Sequence, residues 1–78
     1  MNKKQRQLLD QLAGKAEAIR DDLQMMAEEE QEKFENMPES MQMSEKGEAF
    51  EQAAQDLEEL ASELEDIQSR IIDAGEQS

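Results

Sequence analysis

Carboxylates are almost the only groups in this chain that could do chemistry: 21 Asp and Glu stand against 8 Lys and Arg, with no histidine and no cysteine. Acid–base catalysis by carboxylates needs a concave site that desolvates one of a pair and raises its pKa. Metal binding needs ligands at fixed spacing, and neither a D-x-D-x-D-G calcium loop nor a Glu-x-x-His pair occurs. No glycine-rich phosphate loop is present either. The residue types therefore point away from an enzyme and from any cofactor or dedicated metal site. Loosely held surface Mg²⁺ or Ca²⁺ is all they would attract.

What remains is the placement of charge. Residues 1–20 hold Lys3, Lys4, Arg6, Lys15 and Arg20 against Asp10 and Glu17, a balance of +3. Residues 21–78 hold Lys33, Lys46 and Arg70 against nineteen acids, a balance of −16, which completes the net −13. Such a surface repels nucleic acid and anionic membranes and attracts basic protein surfaces. Lys3, Lys4 and Arg6 read as a solvated terminus, so no direct nucleic-acid or membrane partner is expected.

The elements that must carry these charges are helices. Leu8, Leu12, Ala16, Ile19, Leu23, Met26, Phe34 and Met37 recur mostly three or four residues apart, which is one face of a long helix. Phe50, Ala53, Leu57, Leu60, Leu64, Ile67, Ile71 and Ala74 alternate steps of three and four, the pattern of a coiled-coil seam. Between them, Pro38 biases Met37 away from helix and ends the first run near Asn36. Asn2 with Gln5 resembles a capping box, Ser40 or Ser44 can cap the second helix, and Gly75 marks its end.

The expected fold is all-α, a single domain over 1–78, with helix 1 at about 3–36, a connector at about 37–44 and helix 2 at about 45–74. A short connector makes the two helices antiparallel neighbours about 45 Å long. A 78-residue chain buries only about 60% of its unfolded surface, and this one has no disulfide to brace it. Dimerisation into a four-helix bundle is the expected remedy, covering the flanking Leu9, Ala13, Ala27, Ala54, Ala61 and Ile72. No apolar run approaches a membrane span, and the basic start MNKKQRQLLD is not followed by the hydrophobic stretch of a signal peptide, so a cytoplasmic location is expected.

Two groups stand out as candidate contacts. Glu28, Glu29, Glu30, Glu32, Glu35 and Glu39 close helix 1 and the connector, and Glu45, Glu48 and Glu51 open helix 2, so a hairpin brings all of them to its loop end. Lys3, Lys4 and Arg6 at the start of helix 1 and Glu32, Glu35 and Glu39 near its end oppose the helix dipole, which argues against an arrangement made for stability alone. The surplus acid, spread along a ~45 Å rod, is about one charge per 3 Å, against about one per 1.7 Å in duplex DNA. A dimer would approach the DNA value. Met25, Met26, Met37, Met41 and Met43 gather around the connector with Phe34 and Phe50, where they read chiefly as a plug for the hairpin end. Their alternative use is a soft contact patch, with Met41 and Met43 at the tip.

The stretch ENMPESMQMSEKGEAFEQAAQDLEELASELEDI, residues 35–67, resembles a group of small acidic helical proteins of bacteriophages and bacteria that carry an NLPESLQ-S-RGE connector before acidic heptads. The matching residues are Asn36, Pro38, Glu39, Ser40, Gln42, Ser44, Gly47 and Glu48. Met37, Met41, Met43 and Lys46 depart from the pattern. The resemblance implies a helical hairpin and a phage protein acting on a host target, and it transfers no functional residue because the group has no settled activity.

Together these readings predict a non-enzymatic, acidic interaction protein. Glu28, Glu29, Glu32, Glu35, Glu39, Glu45, Glu48, Met41 and Met43 would meet a basic surface of a host defence or nucleic-acid-processing factor, in the manner of a nucleic-acid mimic. Leu12, Ile19, Leu23, Phe34, Phe50, Leu57, Leu60, Leu64, Ile67 and Ile71 would form the seam and the homodimer. The alternative is a structural coiled coil whose acids serve only solubility.

Overall fold

In the computed structural model, which describes residues 1–77, helix α1 spans Lys3–Glu35, a short helix α2 spans Glu39–Gln42 and helix α3 spans Glu45–Glu76. α1 and α3 pack along their length as an antiparallel hairpin of 59 × 14 × 12 Å. No strand occurs among the described residues.

Local sequence explains each end. Asn2 accepts from the Gln5 amide at 2.8 Å while the Gln5 side chain accepts from the Asn2 amide at 3.1 Å, a reciprocal cap that satisfies two orphan donors of α1. α1 stops at Asn36, one residue before Met37 must adopt the backbone that Pro38 allows. Ser44, rather than Ser40, caps α3, accepting from the Gly47 amide at 3.3 Å. α3 does not stop at Gly75 as its composition predicts. Gly75 stays helical and half-buried beside Leu9, where a Cβ would sit at ordinary contact distance, 3.6 Å from the Leu9 Cδ1 atom.

The connector is tied to both helices. Gln42 donates through Nε2 to the carbonyls of Phe34 at 3.2 Å and Met37 at 3.3 Å, joining the Met37 amide, which donates to the same Phe34 carbonyl at 3.1 Å. Gly47 is buried under the same residue, and a Cβ on it would lie 2.3 Å from the Gln42 carbonyl oxygen. Ser44 also donates to the Met41 carbonyl.

The seam corrects the sequence reading. Burial follows Leu9, Ala13, Ala16, Arg20, Leu23, Ala27, Glu30 and Phe34 on α1, and Gly47, Phe50, Ala54, Leu57, Ala61, Leu64, Gln68 and Ile71 on α3. Both sets alternate steps of three and four without a break, so they are the a and d positions of heptads. Of the residues expected in the seam, Leu23, Phe34, Phe50, Leu57, Leu64 and Ile71 are there and half-buried. Leu12, Ile19, Leu60 and Ile67 are not, and each remains exposed. The alanines assigned to the flank, Ala13, Ala27, Ala54 and Ala61, are instead buried in the seam.

The physical reason is size matching. In an antiparallel pair an a residue faces a d residue, and the register that sets Leu9 against Gly75 also sets Leu23 opposite Ala61, Ala27 opposite Leu57 and Ala13 opposite Ile71. Most layers pair a large residue with a small one, Arg20 with Leu64 and Phe34 with Phe50 at the loop end being the exceptions, so along most of the seam the backbones come close and the side chains still interdigitate. A seam of Leu12 against Ile67 or Leu60 would hold the helices farther apart.

Candidate functional site

With a and d fixed, the remaining charges sort onto two sides of the hairpin. In antiparallel helices the e positions of both strands share one side and the g positions share the other. Glu17, at e, accepts from Gln68 Nε2 across the helices at 3.5 Å, and Gln24, Glu28, Glu58, Ala61, Ser62 and Glu65 line one open groove on that side. On the opposite side, the ammonium groups of Lys33 and Lys46, both at g, lie 5.7 and 5.9 Å from the centre of the Phe50 ring.

The e side and its rim are acidic: Asp10, Glu17, Asp21, Glu28 and Glu35 from α1, and Glu48, Glu51, Glu58, Glu65 and Glu76 from α3, all exposed. Beyond Lys3 and Arg6 at the open end, the base among them is Arg20, which occupies an a position in the seam. Arg20 donates to Asp21 at 3.0 Å and lies 3.6 Å from Glu17. Its guanidinium pKa is held above the ordinary value first by that hydrogen bond to Asp21, with Glu65 on α3 and Glu17 contributing charge. Arg20 and Gln68 thus make a polar stretch within an otherwise small-and-large seam, which is the kind of feature that fixes register. Sequence reading treated Arg20 only as part of a basic terminus. Its spacing of seven from Ala13 and Ala27 was the available signal.

The g side is apolar. Leu12, Ile19 and Met26 from α1 run beside Ala53, Leu60, Ile67 and Ala74 from α3, ending at Lys33 and Lys46 near the loop. Leu9, Ile67, Arg70, Ile71 and Ala74 line a mainly apolar groove on it. Lys33 also pairs with Glu30 at 2.8 Å, and its pKa is raised first by that hydrogen bond and then by the charge of Glu30.

The seven glutamates singled out from sequence are all exposed but do not form one patch. Glu28, Glu35 and Glu48 belong to the acidic side. Glu29 flanks the apolar side, Glu32 and Glu45 lie on the outward backs of their helices, and Glu39 begins α2. Glu45 and Glu48 occupy the first turn of α3, where they complement the helix dipole. The seam-facing rank that completes the acidic side, Glu51, Glu58 and Glu65, follows a seven-residue spacing, a repeat that becomes meaningful once the heptad phase is known.

The methionine plug is also corrected. Met25, Met26, Met41 and Met43 are exposed and only Met37 is half-buried, because Gln42, Gly47 and the half-buried Phe34 and Phe50 already fill the hairpin end. Met43 is 86% exposed at the tip, beside a cleft shared with Phe34, Gln42, Glu48 and Glu51.

Among the described residues no group of three or more metal-ligating side chains comes together, and no helix is long and apolar enough to cross a membrane. No family model, curated protein or solved structure matches the chain.

Proposed function

We propose that this is a non-enzymatic interaction protein whose acidic side binds and blocks a basic protein surface. The observation that carries the reading is segregation: Glu17, Glu28, Glu51, Glu58 and Glu65 share one long side, while the opposite side is apolar. The net charge of −13 also exceeds the magnitude of about 2–8 that keeps a small domain soluble. A linear array of carboxylates on a rod fits a groove that otherwise receives a phosphate backbone, so the partner class is a nucleic-acid-processing or defence factor, and the connector resemblance favours a phage protein acting on its host. Binding would be electrostatically steered and weakened by salt.

The test compares three baits in a bacterial lysate at low salt: the native chain, Glu28→Lys with Glu51→Lys and Glu58→Lys, and Glu32→Lys with Glu59→Lys and Asp66→Lys on the outer backs. The reading expects a basic partner retained by the native chain and the outer-back variant, eluted by moderate salt, and lost from the acidic-side variant. Equal retention by all three would refute it. A structural coiled-coil role is the second reading, favoured by the exposed apolar side, and it expects function to follow self-assembly instead.

A further inference from the structure

The g side bears large apolar residues that the hairpin leaves in water: Leu12 is 40% exposed, Ile19 51%, Met26 50%, Leu60 47% and Ile67 43%. The chain exposes 5923 Å², whereas a compact monomer of 8.9 kDa exposes about 4,800 Å². The excess of roughly 1,100 Å² is comparable to the ~800 Å² that each partner buries in a standard protein interface.

We propose that a second copy of this chain covers the g side, with the two hairpins pointing in opposite directions and their connectors at opposite ends of a four-helix bundle. This is independent of the basic-partner reading, since it uses the other side of the rod. The orientation follows from the residues at c, which border the apolar side: Leu8, Lys15, Asp22 and Glu29 on α1, and Ala49, Asp56, Glu63 and Arg70 on α3. With connectors at opposite ends, each helix meets its own copy. A two-fold axis beside Ile19 then sets Leu12 against Met26 of the second copy, and Leu60 against its Ile67. The same operation brings Lys15 to Asp22 and Asp56 to Arg70 of the other copy, twice each. Glu63 alone meets its like, near the axis.

With connectors at the same end, α1 would instead lie on α3 of the second copy. Lys15 would then meet Arg70, Asp22 would meet Glu63, and Glu29 would meet Asp56, like charge against like throughout. The acidic loop ends would also be superposed. The apolar stripe fits either orientation, and the flanking charges select one.

Because the chain has no cysteine, a single nitroxide can be placed at Met43→Cys, on the exposed tip. Met43 lies about 20 residues of helix from the axis, so a two-fold pair of labels should be roughly 55–60 Å apart by pulsed electron spin resonance. Sedimentation equilibrium should show a dimer, and Ile19→Gln with Leu60→Gln should weaken it at least a hundredfold, four half-exposed apolar side chains being lost per dimer. Circular dichroism checks that the variant keeps its helices. A label distance near 20 Å would overturn the orientation, a dimer that ignores the double substitution would overturn the face, and a monomer at 100 μM, about the scale of a weak specific complex, would overturn the proposal. The distance measurement stands even if the double variant fails to fold.

Discussion

Replacing Gly47 by alanine inverts the usual effect of that substitution in a helix. At an exposed helical site, Gly→Ala gains about 1 kcal/mol, because alanine loses less backbone freedom on folding. At Gly47 the new Cβ would lie 2.3 Å from the Gln42 carbonyl oxygen, 2.7 Å from its carbonyl carbon and 2.8 Å from its Cα. All three are backbone atoms, so no rotamer change relieves the contact. Pushing the connector aside costs about 1–3 kcal/mol as overpacking. It also draws Gln42 Nε2 away from the Phe34 and Met37 carbonyls, at about 1 kcal/mol for each bond lost. Set against the gain of about 1 kcal/mol in propensity, the net loss is about 3 kcal/mol, or roughly 15 °C in Tm for a domain of this size. Gly14 is the control: it is exposed on α1 with nothing within 4 Å of a built Cβ, so Gly14→Ala should stabilise by about 1 kcal/mol. Thermal unfolding followed at 222 nm, at one fixed protein concentration, measures both. If Gly47→Ala matches or exceeds the stability of Gly14→Ala, the close approach of the connector to α3 is wrong.

Ala54→Leu, at a seam position only 2% exposed, should destabilise the hairpin by about 1–3 kcal/mol in urea unfolding, whereas Leu60→Ala at concentrations where the chain is monomeric should cost less than about 1 kcal/mol; the reverse ranking would restore the seam expected from hydrophobicity alone. Arg20→Leu combined with Gln68→Leu should raise the urea midpoint while broadening the amide NMR spectrum, because an apolar pair packs well but no longer fixes register. Lys33, raised above its ordinary value by Glu30, has a higher pKa folded than unfolded. Its contribution is therefore full below 10.5 and disappears as pH rises through the folded value. Its Nζ titration by NMR should have a midpoint above 10.5, and Glu30→Gln should lower it.

The connector residues have local explanations. Pro38 ends α1, Gln42 binds the carbonyls at the end of α1, Ser44 caps α3 and Gly47 makes room for Gln42. A connector motif of this kind maintains a turn, and chemistry need not be invoked for it. The side chains free to meet a partner are on the helices, in the heptads that look least distinctive as sequence.

Sequence alone determined what depends on neighbours along the chain. The Asn2–Gln5 cap, the stop before Pro38 and two long amphipathic helices are all decided within four or five residues, so residue type and spacing specify them, whereas the choice of Ser44 over Ser40 as the cap of α3 came from the structure. Charge composition likewise fixed the acidic character without any fold. Tertiary structure decided the phase of the heptads. Leu60 and Ala61 are adjacent, both lie within a helical stripe, and hydrophobicity favours leucine for the seam. Only the facing helix, with Leu23 placed opposite Ala61 and Gly75 opposite Leu9, makes the small residue the better fit. One residue of phase turns each helix by about 100°, and that rotation moved Leu12, Ile19, Leu60 and Ile67 from an expected core to an open face. The same rotation gathered Glu51, Glu58 and Glu65 beside Glu17 and Glu28. Which acids act together is a property of how two helices pack, and size complementarity across the seam, more than hydrophobicity along either helix, sets that packing.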